Sequence, residues 1–172
     1  MKRAGITYIS ADDVGPCLAK DRADELCESI AEQLSLKPGG DILKAVKSLG
    51  GRLHYVDECS SLIGGNTIYV HGECDFDIYL PIASSVRRDR FTVAHELGHY
   101  VLHSDQGKRP LMAQRSGSTR AEWEANWFAA SLLMPSKEFK ALAQKGTTIP
   151  VLADHFKVSS AAVEVRKKNL GL

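Results

Sequence analysis

The sequence lacks an apolar run near the roughly 18 residues of a membrane span, and it lacks an excess of either charge. Its 22 Lys and Arg residues nearly balance 21 Asp and Glu residues, for a net charge of +1. This balance gives no general attraction to nucleic acid or to an acidic membrane. The first residues, 1–11, also lack the apolar core of a signal peptide. We therefore expect a cytoplasmic protein without membrane association or direct nucleic-acid binding.

Cysteine is scarce and shows no metal-binding spacing. The four cysteines have no Cys-x-x-Cys pair among them; they are Cys17, Cys27, Cys59 and Cys74. An even count does not by itself imply bridges in a reducing compartment. A structural metal or a redox pair is the alternative to four free thiols, which we favour. The 172 residues suffice to bury a core without disulfides.

The hydropathy pattern divides the chain into helices, strands and again helices. Residues 18–36 show helical spacing, and Asp41 can cap a second, shorter helix. Three short strands follow, over 52–56, 67–71 and 76–82, with a turn at 64–66. Beyond Ser84 the pattern is helical through His103. The sequence therefore predicts an α+β fold with a small sheet of three or more strands.

Two further segments complete this outline. The polar stretch 104–119 contains Gly107, Pro110 and Gly117 and is typical of a long mobile loop. A helix then runs from about 119 to 134 and is stopped by Pro135. Short helices fill the rest of the chain.

One motif carries clear chemistry: His95, Glu96 and His99 form a His-Glu-x-x-His pattern in a helical context. Residues four apart project from one helix face, so both imidazoles can share a tetrahedral zinc. Glu96 is placed to act as general base on a metal-activated water, whose pKa zinc lowers towards roughly 7. The alternative is a helix with two ordinary surface histidines.

A hydrolytic zinc site needs a third protein ligand and one open position. Glu122 and Glu124 both lie early in the next long helix, but about 200° apart around its axis. Glu122 shares a face with Asn126, which can orient a ligating imidazole. We therefore favour Glu122, whose alternative role is a favourable acidic residue in the first helical turn. Zn²⁺ is the expected ion, although two His and one Glu also bind other divalent ions such as Mn²⁺.

Several residues keep two interpretations. Gly98 either lets a strand or substrate approach the metal or serves helix packing. The segment 76–82 is either an edge strand at the cleft, which Pro81 favours, or a buried strand.

His71, Tyr79, His103 and Arg115 are candidates for stabilising the oxyanion. His103 lies about 12 Å along the helix from His95, too far to join it as a ligand, and we expect it to pack or to contact groups around the ligands.

The C-terminal stretch 149–168 can be drawn as two helices joined by a turn. Arg166, Lys167 and Lys168 give it a basic end, which suggests DNA binding. Basic residues at a helix C-terminus are favoured by the helix dipole in any case. We therefore prefer a structural interpretation of this end, with a partner-docking surface as the next alternative.

The two motif stretches resemble those of a known family. Residues 90–99, residues 122–130 with 132–135, and the closing run from 152 to 172 are similar to the ImmA/IrrE metallo-endopeptidases. The resemblance spans roughly 77–172, and residues 1 to about 60 carry little of it. It implies a compact gluzincin-type zincin fold with an active-site helix, a small sheet bordering the cleft and a glutamate-supplying helix. It assigns His95, His99 and Glu122 as ligands and Glu96 as base.

The resemblance also implies a domain organisation and a partner. We expect one metallopeptidase domain over 1–172, with an N-terminal helical region (1–60), a catalytic core (67–135) and a C-terminal helical segment (136–172). The expected substrate is an Xre-type helix-turn-helix repressor or an antitoxin, cleaved under stress. Longer members carry a further sensor-like domain, for which we expect no room here. The alternative is a catalytically silent regulator that binds such a partner stoichiometrically. The oligomeric state is left open.

Overall fold

The computed structural model describes residues 1–57, 66–114 and 118–172. Cys59, Arg115 and the predicted turn glycines 64 and 65 lie outside these ranges. The described strands are β1 (Ile9–Ser10), β2 (Gly51–Val56), β3 (Asn66–Gly72), β4 (Asp75–Pro81) and β5 (Leu111–Gln114). The described helices are α1 (Ala23–Gln33), α2 (Ile42–Ser48), α3 (Val86–Gly98), α4 (Arg120–Leu133), α5 (Ser136–Gln144), α6 (Ile149–Phe156) and α7 (Ser160–Asn169). The predicted α+β class is confirmed.

The strands form one mixed sheet in the order β1-β5-β3-β4-β2. β4 pairs in parallel with β2 along its whole length and antiparallel with β3 on its other side. It is therefore an inner strand, and the edge interpretation of 76–82 is wrong. Pro81 is compatible with this position because it is the last residue of β4, where its missing N–H leaves the rest of the ladder intact.

The predicted loop over 104–119 contains a strand. In β5, Leu111 and Ala113 are buried and pair with β3, and β1 adds a short parallel partner on the other side. The apolar run here is only three residues long, Leu111 to Ala113, which is too short for the sequence pattern to reveal a strand. The description of the whole segment as a mobile loop is therefore wrong for Leu111–Gln114.

The hydrophobic core lies between the sheet and the helices on one of its faces. Alternation along β3 and β4 turns every second side chain to this face. The fully buried residues there are Ile68, Val70, Phe76, Ile78 and Leu80. They share one cluster with Val93 and Leu97 of α3 and Phe128 of α4. The sheet therefore forms the base against which the two motif helices pack. The expected division of the chain into segments stays a prediction.

The opposite face of the sheet carries a buried polar network centred on Asp77. Its carboxylate accepts hydrogen bonds from Arg52 Nε at 2.7 Å and His71 Nε2 at 2.8 Å, and lies 3.0 Å from His54 Nε2. Tyr8, from the N-terminal segment, reaches His71 Nδ1 at 2.5 Å. Burial alone would raise the pKa of Asp77, but the hydrogen bonds from Arg52, His54 and His71 hold it well below its usual range.

The C-terminal basic end is largely structural. Arg166 is buried, donates from Nε to the Met134 carbonyl at 3.0 Å and from its guanidinium to Ser131 Oγ at 3.3 Å, and pairs with Asp24. Only 167–168 remain exposed of the three basic residues. This arrangement favours the structural interpretation over DNA binding.

The described residues also bear on two further expectations, those on the cysteines and on membrane spans. Cys17, Cys27 and Cys74 are free thiols, as we favoured for them. Within the described ranges, the helices are all too short or too polar to serve as a membrane span.

Replacing Asp77 by Asn should lower the free energy of unfolding at pH 7 by about 2 kcal/mol, because its donors, the buried His71 among them, lose a charged acceptor. The loss should shrink as pH falls. Because the pKa of Asp77 is lowered in the folded protein, its ionised carboxylate contributes its full stabilisation only above the unfolded-state pKa of about 3.9. This stabilisation is lost as pH falls through the folded-state pKa. Urea unfolding at pH 7 and pH 3 measures both effects.

Asp154→Asn is the matched control, because Asp154 forms an exposed ion pair with Arg87. Such pairs contribute about 1 kcal/mol or less. An Asp77→Asn protein as stable at pH 7 as this control would contradict the role given to the network.

Candidate metal centre

The helix α3 presents His95 and Glu96 from its last turns. Ser85 caps its start by accepting a hydrogen bond from the Arg88 backbone N–H, which satisfies one of the donors left open at a helix start. The chain continues as a π-helical segment, His99–His103. Such segments occur often at functional sites. His99 is therefore the junction between the two helical geometries.

The helix α4 supplies Glu122 from its first turn. Thr119 caps this helix by accepting a hydrogen bond from the Glu122 backbone N–H. A Cβ placed on Gly98 would lie only 3.1 Å from Ala125 Cα and 3.3 Å from Phe128 Cβ. Gly98 therefore lets α3 and α4 pack closely, and of its two interpretations the packing one is supported.

Donor atoms of three residues converge where the two helices meet. His99 Nε2 lies 3.0 Å from Glu122 Oε1, His95 Nε2 lies 3.2 Å from Glu122 Oε2, and the two Nε2 atoms are 3.2 Å apart. Ligands about 2.0–2.1 Å from a tetrahedral zinc lie roughly 3.3 Å from one another. The spacing of the three residues' donor atoms therefore fits one tetrahedral ion. They form one of two His/Cys/Asp/Glu groups with such proximity in the described chain.

The outer nitrogens of both imidazoles support the same conclusion. His95 Nδ1 lies 3.1 Å from Asn126 Oδ1, and His99 Nδ1 lies 3.0 Å from His103 Nδ1. When a neutral imidazole donates from Nδ1, its Nε2 carries a lone pair. The two Nε2 atoms and Glu122 then face each other as electron-pair donors, an arrangement that a cation stabilises. The residues therefore fit a divalent metal ion.

The electrostatics of the site favour positive charge. Burial opposes the charged form of His95, yet the Glu122 hydrogen bond and the nearby Glu96 raise its pKa. Burial likewise opposes ionised Glu122, but hydrogen bonds from His95 and His99 lower its pKa to about 2. Glu122 is therefore a carboxylate at neutral pH. A cation among the three donors would meet the same favourable field.

Glu96 lies beside the donors in an unusual state. Its side chain is fully buried, and among the described residues both of its carboxylate oxygens lack a hydrogen-bond partner. A buried carboxylate without partners is costly. Water or a substrate group is the remaining source of hydrogen bonds for it. The position suits a group that accepts a proton at this site.

Sequence reasoning placed His103 beside the ligands but missed its partner Glu124. His103 Nε2 lies 3.4 Å from Glu124 Oε2, and both side chains are fully buried. Burial and the neighbouring His99 lower the pKa of His103. The angle of about 200° around the helix axis correctly puts Glu122 and Glu124 on different faces of α4. The face that carries Glu124 is the one that contacts His103. The third histidine at a four-residue interval was the available signal.

The oxyanion candidates lie elsewhere. His71 and Tyr79 belong to the polar face of the sheet, opposite the motif helices, where His71 contacts Asp77. His103 is occupied behind His99. Arg115 lies outside the described residues. The three described candidates are therefore not placed to meet a substrate carbonyl, and this part of the expectation is wrong for them.

A cavity of about 1260 Å³ lies beside the donor set and is bordered by α3, α4 and α7. Thr92 and Asn126 line it, whereas His95, His99 and Glu122 do not. Asn126 belongs both to the cavity lining and to the site, where it contacts His95. The donor set, and not the cavity, therefore identifies the candidate centre.

Comparison with known proteins agrees with this geometry. The family model of the IrrE N-terminal-like domain, a peptidase family, matches residues 75–168, which is more than half of the chain and includes both motif helices. A solved structure of a Mycobacterium tuberculosis transcriptional regulator has a similar fold, with a TM-score of 0.56 and 18% identity. The match covers 83% of this chain and 45% of that one, so this chain spans less than half of its length. No curated protein sequence matches.

Gly98→Ala should weaken metal binding about tenfold, a size typical of changes around metal ligands. The new methyl would push against the buried Ala125 and Phe128, and so move Glu122 away from the imidazoles. The gain of about 1 kcal/mol in helix propensity offsets part of the overpacking cost of about 1–3 kcal/mol. Competition with a chelator measures the metal affinity.

Gly72→Ala is the control for this substitution, because a Cβ there meets no atom within 4 Å. Its metal affinity should match that of the unchanged protein. Equal affinities for the Gly98 and Gly72 variants would show that the helix approach does not set the ligand spacing.

Proposed function

This chain belongs to the peptidase family of the IrrE N-terminal-like domain, and from that membership we propose that it is a zinc-dependent endopeptidase. The membership itself supports a metallopeptidase-type or regulator-related function. The observation that carries the finer proposal is the convergence of His95, His99 and Glu122 beside the partnerless carboxylate of Glu96. A purely structural metal site has no need of that fourth group.

Each residue of the site has a distinct role in this proposal. His95, His99 and Glu122 hold the ion, and Asn126 fixes the orientation of the His95 ring. The bound ion supplies Lewis acidity and lowers the pKa of a water molecule. A Glu96 oxygen takes a proton from the attacking water and delivers it to the leaving amide nitrogen as the C–N bond breaks. Water is consumed, and a new carboxyl and a new amino terminus result.

The proposed substrate is a regulatory protein, an Xre-type helix-turn-helix repressor or an antitoxin. The family resemblance of the two motif stretches supports this choice. The similar Mycobacterium tuberculosis protein is named a transcriptional regulator, which places the same fold within a protein of that kind. We propose a partner of this type for the present chain, and zinc as the native ion ahead of Mn²⁺.

Glu122→Ala should remove the third ligand and lower zinc affinity by more than about 100-fold, since even changes around the ligands cost 10–100-fold. Metal content after dialysis against excess zinc measures this. The unchanged protein should retain about one ion per chain. Glu164→Ala, on the exposed side of α7, is the control and should retain the same amount. Equal retention by the two variants would remove Glu122 from the ligand set.

Glu96→Gln should leave metal content unchanged and reduce cleavage about 10²- to 10⁴-fold, the usual contribution of a general base. The amide has nearly the same shape but cannot take the proton. This inactive variant can capture the partner from cell extract, and incubation with the unchanged protein then reveals cleavage by mass spectrometry.

The outcome separates the enzyme from the silent regulator. If the unchanged protein binds the captured partner as the Glu96 variant does and leaves it intact, the chain is a stoichiometric binder and the endopeptidase proposal is wrong. Unchanged cleavage by the Glu96 variant would instead overturn the role of Glu96 alone.

A further inference from the structure

Both carboxylate oxygens of Glu124 accept hydrogen bonds from groups outside the proposed metal site. Glu124 Oε1 accepts from Arg120 Nε at 2.6 Å, and Oε2 accepts from the Cys17 backbone N–H at 2.9 Å. The same arginine also donates to the Leu18 carbonyl at 3.0 Å. The negative charge is therefore neutralised and fixed in place although the side chain is fully buried.

This fixed carboxylate decides where His103 carries its proton. An ionised carboxylate only accepts hydrogen bonds, so the His103 Nε2 that faces Glu124 must bear hydrogen. In the neutral ring, the Nδ1 of His103 is then a lone pair. That lone pair faces His99 Nδ1 at 3.0 Å, and only one proton fits between the two nitrogens. His99 Nδ1 therefore donates, which leaves His99 Nε2 as the nitrogen that faces Glu122 and the metal position.

We infer that Glu124 and His103 form a buried relay that holds His99 Nδ1 as a hydrogen-bond donor and so orients the ring with Nε2 towards the metal. The inference rests on the proposed metal site and adds positioning residues to it. The two ligand histidines then differ: His95 is oriented by an amide, Asn126, and His99 by a histidine backed by a carboxylate. Hydrogen bonding of this kind orients a ligand ring and raises its basicity.

The same side chains admit a rival arrangement. Cys17, His103 and Glu124 offer ligand atoms within 4.8 Å of one another and form the second such group in the described chain. A metal on His103 Nε2 would displace the proton that faces Glu124 and move it to Nδ1. His99 would then lose its donor role, so a second ion would oppose the first. The two donors already on Glu124, from Arg120 and the Cys17 backbone, favour the relay.

The tautomers can be observed directly, without a measurement of activity. In the zinc-loaded protein with ¹⁵N-labelled histidine at pH 8, two-bond ¹H–¹⁵N correlation spectra distinguish Nδ1–H from Nε2–H rings. The expected state of His103 is Nε2–H, with its Nδ1 lone pair accepting from His99 Nδ1–H. An Nδ1–H state for His103 would overturn the relay, whether or not the protein cleaves anything.

Variants test the same relay through metal affinity. Glu124→Gln should give mixed His103 tautomers and about tenfold weaker zinc binding, because an amide can face His103 with either its oxygen or its nitrogen. His103→Phe should weaken binding about 10- to 100-fold, since the His99 N–H loses its acceptor. His103→Asn restores an acceptor near His99 and should recover part of the affinity, which a loss of folding or packing would not do.

Cys17→Ser is the matched control, because it keeps the backbone N–H on Glu124 and removes only the thiol. The relay requires unchanged zinc affinity and an unchanged ratio of ions to chains in this variant. Loss of a second bound ion in Cys17→Ser would establish the rival site and overturn the relay. Unchanged affinity in the folded His103→Phe protein would overturn it as well.

Discussion

The close packing of α3 against α4 is the constraint on which the candidate centre depends. Neither helix contains a complete donor set, since α3 and its continuation supply two imidazoles and α4 supplies one carboxylate. The distances of 3.0 and 3.2 Å between Glu122 and these rings require the backbones to approach as they do at Gly98. Caps at Ser85 and Thr119 fix where each helix starts. A shift of either helix would therefore move ligands and not merely core residues.

The helix period made part of the site predictable from the sequence. The relation between His95 and His99 follows from a four-residue spacing within one helix, and both caps are local hydroxyl residues. The choice of Glu122 over Glu124 used the same period, and the structure brings Glu122 and Asn126 to the imidazoles. These features depend on neighbours within about one turn of the chain. The class of fold followed from the order of such local patterns.

The features that could not be predicted depend on contacts between distant residues. The position of β4 inside the sheet depends on its parallel partner β2, and the proline rule for edges misled because Pro81 ends the strand. The strand β5 exists because β3 offers it a partner. The surroundings of Glu124 require Cys17, which lies 107 residues away in sequence. Periodicity within one segment contains none of this information.

Two glutamates two residues apart serve different purposes because their surroundings differ. Glu124 meets a guanidinium and a backbone N–H, so its charge is balanced by the protein itself. Among the described residues, the Glu122 carboxylate meets only the inner nitrogens of two imidazoles, which supply positive charge by holding protons. A metal ion replaces those protons. The residue whose charge the protein leaves uncompensated is thus the one we propose as ligand, and the one it compensates is the one we propose to orient His103 and, through it, His99.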